Sequence, residues 1–280
     1  MFTSLNSIKD LEKKTYEIRE SVIRMLANAN AWHAGSNLSI VDILTVLYFS
    51  FMRHDPKNPE WKDRDRFILS KGHGCATLYA VLAQIGYFPK EELMNYRKSC
   101  GMLEGHPNMA TTPGVEMSTG CLGQGLSAGV GMALAGELDK KTFRIFVLIG
   151  DGESQEGQIW EAAMAAAHYK LDNLVCILDY NKCQSGWRIE DAMRIEPLTL
   201  KWHSFGWYVI EIDGHNIQEI LDAFGNASDV KGKPTVIVAH TIKGKGVSFM
   251  EDVVEWHARP VTQEDGERAL EELAYKKSKL

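Results

Sequence analysis

With 280 residues, 45% of them hydrophobic and 24% charged, the chain can bury a sizeable core and has the composition of a soluble globular protein. A formal net charge of −6 without any dense Lys/Arg block argues against a nucleic-acid partner, and no apolar run approaches the roughly 18 residues that suggest a membrane span. The opening stretch MFTSLNSIKDLEKK lacks a secretory-signal pattern, and the cysteines at 75, 100, 121, 176 and 183 form no C-x-x-C pair and read as reduced thiols of the cytoplasm.

In chain order, residues 8–30 carry Ile8, Leu11, Tyr16, Ile18, Val22 and Leu26 at the spacing of an amphipathic helix. Ser39 suits the cap of a second helix over 40–52, which ends before a turn at Pro56. A short strand over 66–69 leads into Ser70-Lys71-Gly72-His73-Gly74, and a helix continues through residue 82. Residues 97–125, rich in Gly, Pro, Thr, Met and His, lack periodicity and read as a long functional loop. The small residues of 125–138 suit a helix lying close on a sheet. Strands over 144–149, 174–178, 207–212 and 235–239 alternate with helices, one of them over 216–224. Near the end, Glu264, Asp265, Glu267, Glu271 and Glu272 form a solvated helix face. This alternation predicts an α/β fold, a doubly wound parallel sheet flanked by helices, with 1–280 as a single domain.

The unit over 150–181 carries the clearest chemistry. Gly150-Asp151-Gly152 ends one strand and Asp179-Tyr180-Asn181 closes the next, so an acid and an amide converge at the carboxyl edge of the sheet, where such folds bind ligands. Asp151 and Asn181 are hard oxygen donors suited to Mg²⁺ or Ca²⁺, beside a glycine turn whose amides can approach a phosphate. The unit therefore predicts a diphosphate held through a metal. Glu156 is either a functional acid or one favoured at a helix start. Lys71 and Lys243 lie in glycine turns that suit phosphate recognition, or are solvated charges.

His33, His73, His106 and His257 all fall in loops after predicted elements. Each alone reads as a structural histidine; together they could hydrogen-bond phosphate and shuttle protons. A zinc site is the rival reading, without a compact His/His or Cys/His pair to support it. The run from Gly123 to Ala128 matches the dinucleotide pattern G-x-G-x-x-A, but no hydrophobic strand precedes it.

Taken together, these motifs resemble the transketolase family. The resemblance rests on Leu69-Ser70-Lys71-Gly72-His73, Pro113-Gly114-Val115-Glu116, Thr119-Gly120-Cys121-Leu122-Gly123-Gln124-Gly125, the 150–181 unit, Asp213-Gly214-His215 and the run from Thr241 to Gly246, in the family's order across residues 10–260. It implies the thiamine diphosphate-binding fold, and a two-carbon ketol transfer from a ketose to an aldose. Asp151, Asn181 and the Cys183 carbonyl would hold Mg²⁺ or Ca²⁺. Lys71, His73, Gly152, Glu153, Lys243 and His257 would serve the diphosphate side, and Gly120, Cys121 and Leu122 would line the rings of the cofactor, Cys121 as a packing residue or an oxidation-sensitive one. His33, His73, His106 and His257 would approach the sugar hydroxyls or a developing alkoxide, and Glu156 would be the buried acid that links paired active sites.

The resemblance also implies that this is the amino-terminal subunit of a split transketolase. The pyrimidine-binding and carboxyl-terminal domains would then lie on a partner subunit, in an α2β2 assembly. Two departures from the family pattern, Trp32-His33-Ala34 and Gln184-Ser185-Gly186, fall where the donor sugar would lie and point to a modified or sulfonated ketose. The rival readings are a subunit of a deoxyxylulose-phosphate synthase-like or 2-oxo-acid dehydrogenase-like thiamine enzyme, and a non-catalytic chain that stabilises a partner.

Overall fold

The computed structural model describes residues 5, 7–99 and 101–280; Cys100, residues 1–4 and residue 6 of the opening stretch lie outside them. The Ser7 hydroxyl accepts from the Asp10 N–H and starts helix α1, Ile8–Asn28, whose apolar stripe turns inward. There follow α2 (Ala34–Leu38), α3 (Val41–Val46), strand β1 (Arg66–Leu69), α4 (Cys75–Ile85), α5 (Gln124–Leu138), β2 (Ile145–Gly150), α6 (Gly157–His168) and β3 (Leu174–Tyr180). A short hairpin of β4 (Cys183–Gln184) and β5 (Trp187–Arg188) precedes α7 (Ile189–Ala192), α8 (Leu198–Ser204), β6 (Tyr208–Asp213), α9 (Ile217–Asp229), β7 (Thr235–His240) and α10 (Gln263–Lys277).

The main sheet is parallel throughout, in the order β1-β2-β3-β7-β6. Its central strands are apolar along their length because helices cover both faces. Alternation divides each strand between two cores: Phe146 and Leu148 pack with residues of α1, α4 and α9, while Val147 and Ile149 pack with residues of α5, α6 and α8. A Cβ at Gly129 would lie 2.5 Å from Val147 Cγ2, so the small residues of α5 do bring that helix down onto the sheet. The predicted α/β class and doubly wound parallel sheet are therefore what the chain forms.

Three local expectations need correction. The helix expected over 40–52 is α3 followed by a π-helical turn, Leu47–Phe51, and Ser39 does not cap it. The Ser39 hydroxyl is buried and donates to the Asp179 carboxylate instead, at 2.8 Å. The acids near the end are not all idle: Asp265 and Thr262 form a capping box at the start of α10, and Glu272 accepts from the Ser248 N–H at 2.9 Å.

Because the strands are parallel, the segments following β1, β2, β3 and β7 all leave the sheet at one edge. That edge gathers Ser70 to Gly74, Asp151 to Glu156, Asn181 to Gln184 and Thr241 to Gly246.

Candidate active site

Asp179, the penultimate residue of β3, organises this edge. It is fully buried and accepts from Lys71 Nζ at 2.6 Å, Ser39 Oγ at 2.8 Å, Asn181 Nδ2 at 2.9 Å and the Thr241 hydroxyl. Burial raises its pKa, but the Lys71 ammonium and these hydrogen bonds outweigh it and hold the carboxyl below its usual range. Asp179 thereby ties together the ends of β1, β3 and β7 and fixes the side chain of Asn181. Sequence reading marks Asp179 only as the end of a strand. The ammonium of Lys71 is committed to Asp179 and to the Ser36 carbonyl at 2.9 Å, although its side chain still lines the adjoining cavity.

That cavity, about 160 Å³, is bordered by His73, Asp151, Asn181, Cys183 and His257. Asp151 follows β2 directly, is 2% exposed, and accepts from the Gly152 N–H at 2.8 Å and the Lys182 N–H at 2.6 Å. Burial and the neighbouring Asp179 charge push its pKa up to about 7. Asn181 Oδ1 accepts from the Cys183 N–H at 3.1 Å, which turns the chain back past the same point. Beside His257, Lys243 is 1% exposed, and among the described residues no carboxylate forms an ion pair with it. Its Nζ lies 3.0 Å from His257 Nδ1, and burial lowers its pKa.

A buried carboxyl lines this cavity, and a buried ammonium that forms no ion pair with it rests against His257 of the cavity wall. This arrangement fits a bound cation on one side and an anion on the other, and so a metal–diphosphate pair. Among the described residues no three His, Cys, Asp or Glu side chains converge as a metal-binding group. A metal here would therefore rest on Asp151, Asn181 and a backbone oxygen such as that of Cys183, a hard-oxygen set suited to Mg²⁺ or Ca²⁺.

Three of the four expected histidines come together. The rings of His33, His73 and His257 are 5.0 to 5.2 Å apart, centroid to centroid. His33 holds a left-handed φ of 71°, a strained conformation for a residue with a side chain. Asn37, fully buried, stabilises it: its side-chain amide donates to the His33 carbonyl at 2.9 Å and to the His73 carbonyl at 3.2 Å. Sequence reading misses Asn37, because nothing local distinguishes it from any other polar residue near a helix start. The stem of Lys243 lies against Gly35, where a Cβ would come within 2.7 Å of Lys243 Cγ.

Burial, with the nearby cations adding to it, lowers the pKa of His33 to about 4 and of His257 to about 3, and lowers that of His73 well below its ordinary value. All three imidazoles are neutral at physiological pH. Below the ordinary value near 6.5 the unfolded chain takes up protons that these folded imidazoles refuse, so their contribution to stability falls as pH drops from 6.5 towards 4. An NMR titration of the ring carbons should show no midpoint for His33 or His257 between pH 5 and 8; a midpoint near 6.5 for either would contradict the packing.

His106 is exposed and lies beside Gly120, a Cβ on which would be 3.5 Å from the imidazole Cδ2. Gly120, Cys121 and Leu122 are exposed on the same rim. Glu153 is buried and accepts from Ser70, the Gly123 N–H at 2.8 Å and the Gly150 N–H at 3.0 Å, so its carboxylate knits three loops together. The glycines of the dinucleotide-like run serve this packing: Gly123 donates to Glu153, and Gly125 donates to the Ser70 hydroxyl at 3.1 Å. Glu156, expected to be buried, is exposed in this chain. A larger hollow of about 430 Å³ opens beside Tyr180, Lys182 and Arg194; on its lining Tyr180 donates to Glu196, and Arg188 pairs with Asp252.

Residues 12–279 match the family described as transketolase, thiamine diphosphate binding domain. The chain is 47% identical over 264 residues to the 6-deoxy-6-sulfo-D-fructose transketolase subunit of a Clostridium strain, a match covering 94% of this chain and 96% of that subunit. It is 41% identical over 273 residues to one of the apulose-4-phosphate transketolase subunits of Phocaeicola vulgatus, covering 98% and 97%. The transketolase structure from Campylobacter jejuni superimposes with a TM-score of 0.90 at 34% identity, over 96% of this chain and 43% of that one. The chain thus spans less than half the length of the solved transketolases it is similar to. On the family match over nearly its whole length, the chain belongs to the thiamine diphosphate-binding domain family of the transketolases.

Proposed function

We propose that this chain is the diphosphate-binding subunit of a thiamine diphosphate-dependent transketolase that moves a two-carbon ketol unit from a ketose to an aldose. The observation that carries this reading is the cavity at the carboxyl edge of the sheet, lined by the buried Asp151 and Asn181 and by His257, with the buried Lys243 ammonium 3.0 Å from His257 Nδ1. Asp151, Asn181 and the Cys183 carbonyl hold Mg²⁺ or Ca²⁺, and Lys243 and the Gly152 amide meet the diphosphate. When bound, the cofactor supplies the electron sink for carbon–carbon bond cleavage and formation. The chain's own residues bind, orient and manage protons around it. Lys243 donates to His257 Nδ1, which leaves the Nε2–H of His257 as a donor towards a substrate oxygen. His33 and His73, neutral and closely packed against His257, can exchange hydrogen bonds with hydroxyls without the cost of a buried charge.

A partner subunit carrying the pyrimidine-binding half completes the site in this reading, as an α2β2 assembly of the cytoplasm. The exposed rim of Gly120, Cys121 and Leu122 and the exposed Glu156 are what such a partner would cover. The relatives named as subunits have this chain's length, whereas in the Campylobacter transketolase the same fold is 43% of one chain. The donor we favour is a modified or sulfonated ketose. Trp32, 48% exposed, stands edge-on to His33, and one relative is named for a sulfonated ketose.

The purified chain should show no ketol transfer alone, with thiamine diphosphate and Mg²⁺ supplied. Mixed with a subunit carrying a pyrimidine-binding domain, it should turn over sulfonated or other modified ketoses faster than ordinary ketose phosphates. Transfer by the chain alone would reject the split assembly, and a preference for ordinary ketose phosphates would reject the donor class.

A further inference from the structure

The turn Asp213-Gly214-His215, between β6 and α9, lies outside the cavity and is not used by the reading above, yet its geometry is tightly specified. Asp213 accepts from the His215 N–H at 2.8 Å, and the Gly214 N–H donates to the His240 carbonyl at 2.8 Å. A Cβ on Gly214 would lie 2.5 Å from Thr241 Cγ2, so only glycine lets the turn rest on the end of β7. The His215 side chain, 9% exposed, reaches in two directions. Its Nδ1 is 2.7 Å from Asp42 Oδ2, and its Nε2 accepts from the Ile242 N–H at 2.8 Å. A backbone N–H can only donate, so Nε2 carries no proton; the ring proton is on Nδ1 and is given to Asp42.

Asp42 also takes Arg19 Nη2 at 2.6 Å, and Arg19 Nε donates to the Lys245 carbonyl at 3.1 Å. One buried carboxylate thus holds two arms, and the arms grip the same loop at residues 242 and 245, on either side of Lys243. Burial raises the pKa of Asp42, but Arg19 and the His215 hydrogen bond outweigh it and keep the carboxylate charged. Two further backbone bonds complete the bracket: the Gly244 N–H to the Gly35 carbonyl at 3.1 Å, and the Asp252 N–H to the Lys243 carbonyl at 2.8 Å.

We propose that His215, oriented by Asp42 and paired in action with Arg19, is a positioning residue that sets the 241–246 loop so that Lys243 presents its ammonium to an anionic diphosphate. The proposal rests on the reading that Lys243 meets the cofactor diphosphate. His215 touches neither substrate nor cofactor and acts only through the backbone of its neighbour.

Two variants separate the arms of the imidazole. Glutamine places its amide near the position of Nε2 and keeps an acceptor for Ile242; asparagine places it near Nδ1 and keeps a donor for Asp42. In the full chain, with a partner subunit present, H215Q should bind thiamine diphosphate with Mg²⁺ within about threefold of the unaltered protein. H215N should bind it about 10–100-fold more weakly, the range for losing a group that orients a ligand-binding residue from behind. Both variants should melt at similarly lowered temperatures, so a merely structural role would weaken binding equally in the two. Amide hydrogen exchange at Ile242, Lys243 and Gly244 should quicken in H215N and not in H215Q, and the ¹⁵N shifts of the native His215 ring should be those of the Nδ1–H tautomer. Equal weakening in both variants, or unaltered binding by H215N, overturns the proposal. Lys243→Met distinguishes the failures: if it binds as the unaltered chain does, the diphosphate role of Lys243 falls, and the positioning role with it. If it binds weakly while H215N binds well, only the positioning role falls.

Discussion

Lys71→Met should lower the folding stability of the chain by about 3–5 kcal/mol, because it strands the Asp179 carboxylate in the interior. The two side chains are sealed from solvent, at 2% and 0% exposure, with Nζ and Oδ2 2.6 Å apart. Ser39, Thr241 and Asn181 would still donate to Asp179, so its hydrogen bonds survive while its countercharge does not. Asp179→Leu does the reverse, leaving Lys71 with the Ser36 carbonyl as its close acceptor. The double variant removes both charges and should recover most of the loss, since a well-packed apolar pair can replace a buried ion pair at little cost. Urea unfolding of the four proteins forms a double-mutant cycle that reads the coupling directly. Losses that add without recovery in the double variant would show that the two charges do not depend on each other.

The second large effect separates binding from folding. Asp151→Asn should weaken thiamine diphosphate binding in Mg²⁺ by about 100-fold or more, beyond the 10–100-fold range for groups that only support a metal ligand. The ligand-free chain should melt within about 3 °C of the unaltered one, a shift of roughly 1 kcal/mol for a chain of this size. Asparagine relieves a carboxyl whose pKa is pushed up to about 7 by burial and by Asp179. Its single carbonyl oxygen no longer matches both the Gly152 and Lys182 amides as well, which offsets part of that relief. Stability given up for a ligand is a familiar property of binding sites. Thermal melts with and without thiamine diphosphate and Mg²⁺ decide the point: an undiminished ligand-induced rise in the variant removes Asp151 from the ligand set.

The strands of the main sheet were legible because parallel strands covered on both faces must be apolar throughout, and runs such as Ile145 to Ile149 allow little else. The acid and amide after β2 and β3 were legible for a related reason, since they interrupt those runs where the strands end. What escaped notice is long-range. Asp179 meets Lys71 across 108 residues and Ser39 across 140, and no local pattern announces such a partner. Ser39 looked like a cap because serine before an apolar run usually is one; the buried carboxylate above it claimed the hydroxyl. The roles of Asn37 and His215 are hidden for the same reason, each acting on the backbone of a distant loop. The π-helical turn at Leu47–Phe51 leaves no mark in a segment this rich in apolar residues. Motif order identified the family, while the electrostatic wiring of the edge became visible only in three dimensions.

The contact between Gly35 and the stem of Lys243 bears on how such a protein can diverge. Alanine at position 35 would already crowd Lys243 Cγ to 2.7 Å and displace a buried ammonium, so that position is closed to drift. Trp32, three residues earlier, is 48% exposed, and Ser185 and Gly186 are exposed as well, so substitutions there disturb no core. Positions 32, 185 and 186 are thus open to substitution around an anchor where one added carbon would press on Lys243. A laboratory search for new donors should saturate position 32 and positions 184–186 and leave 35 untouched.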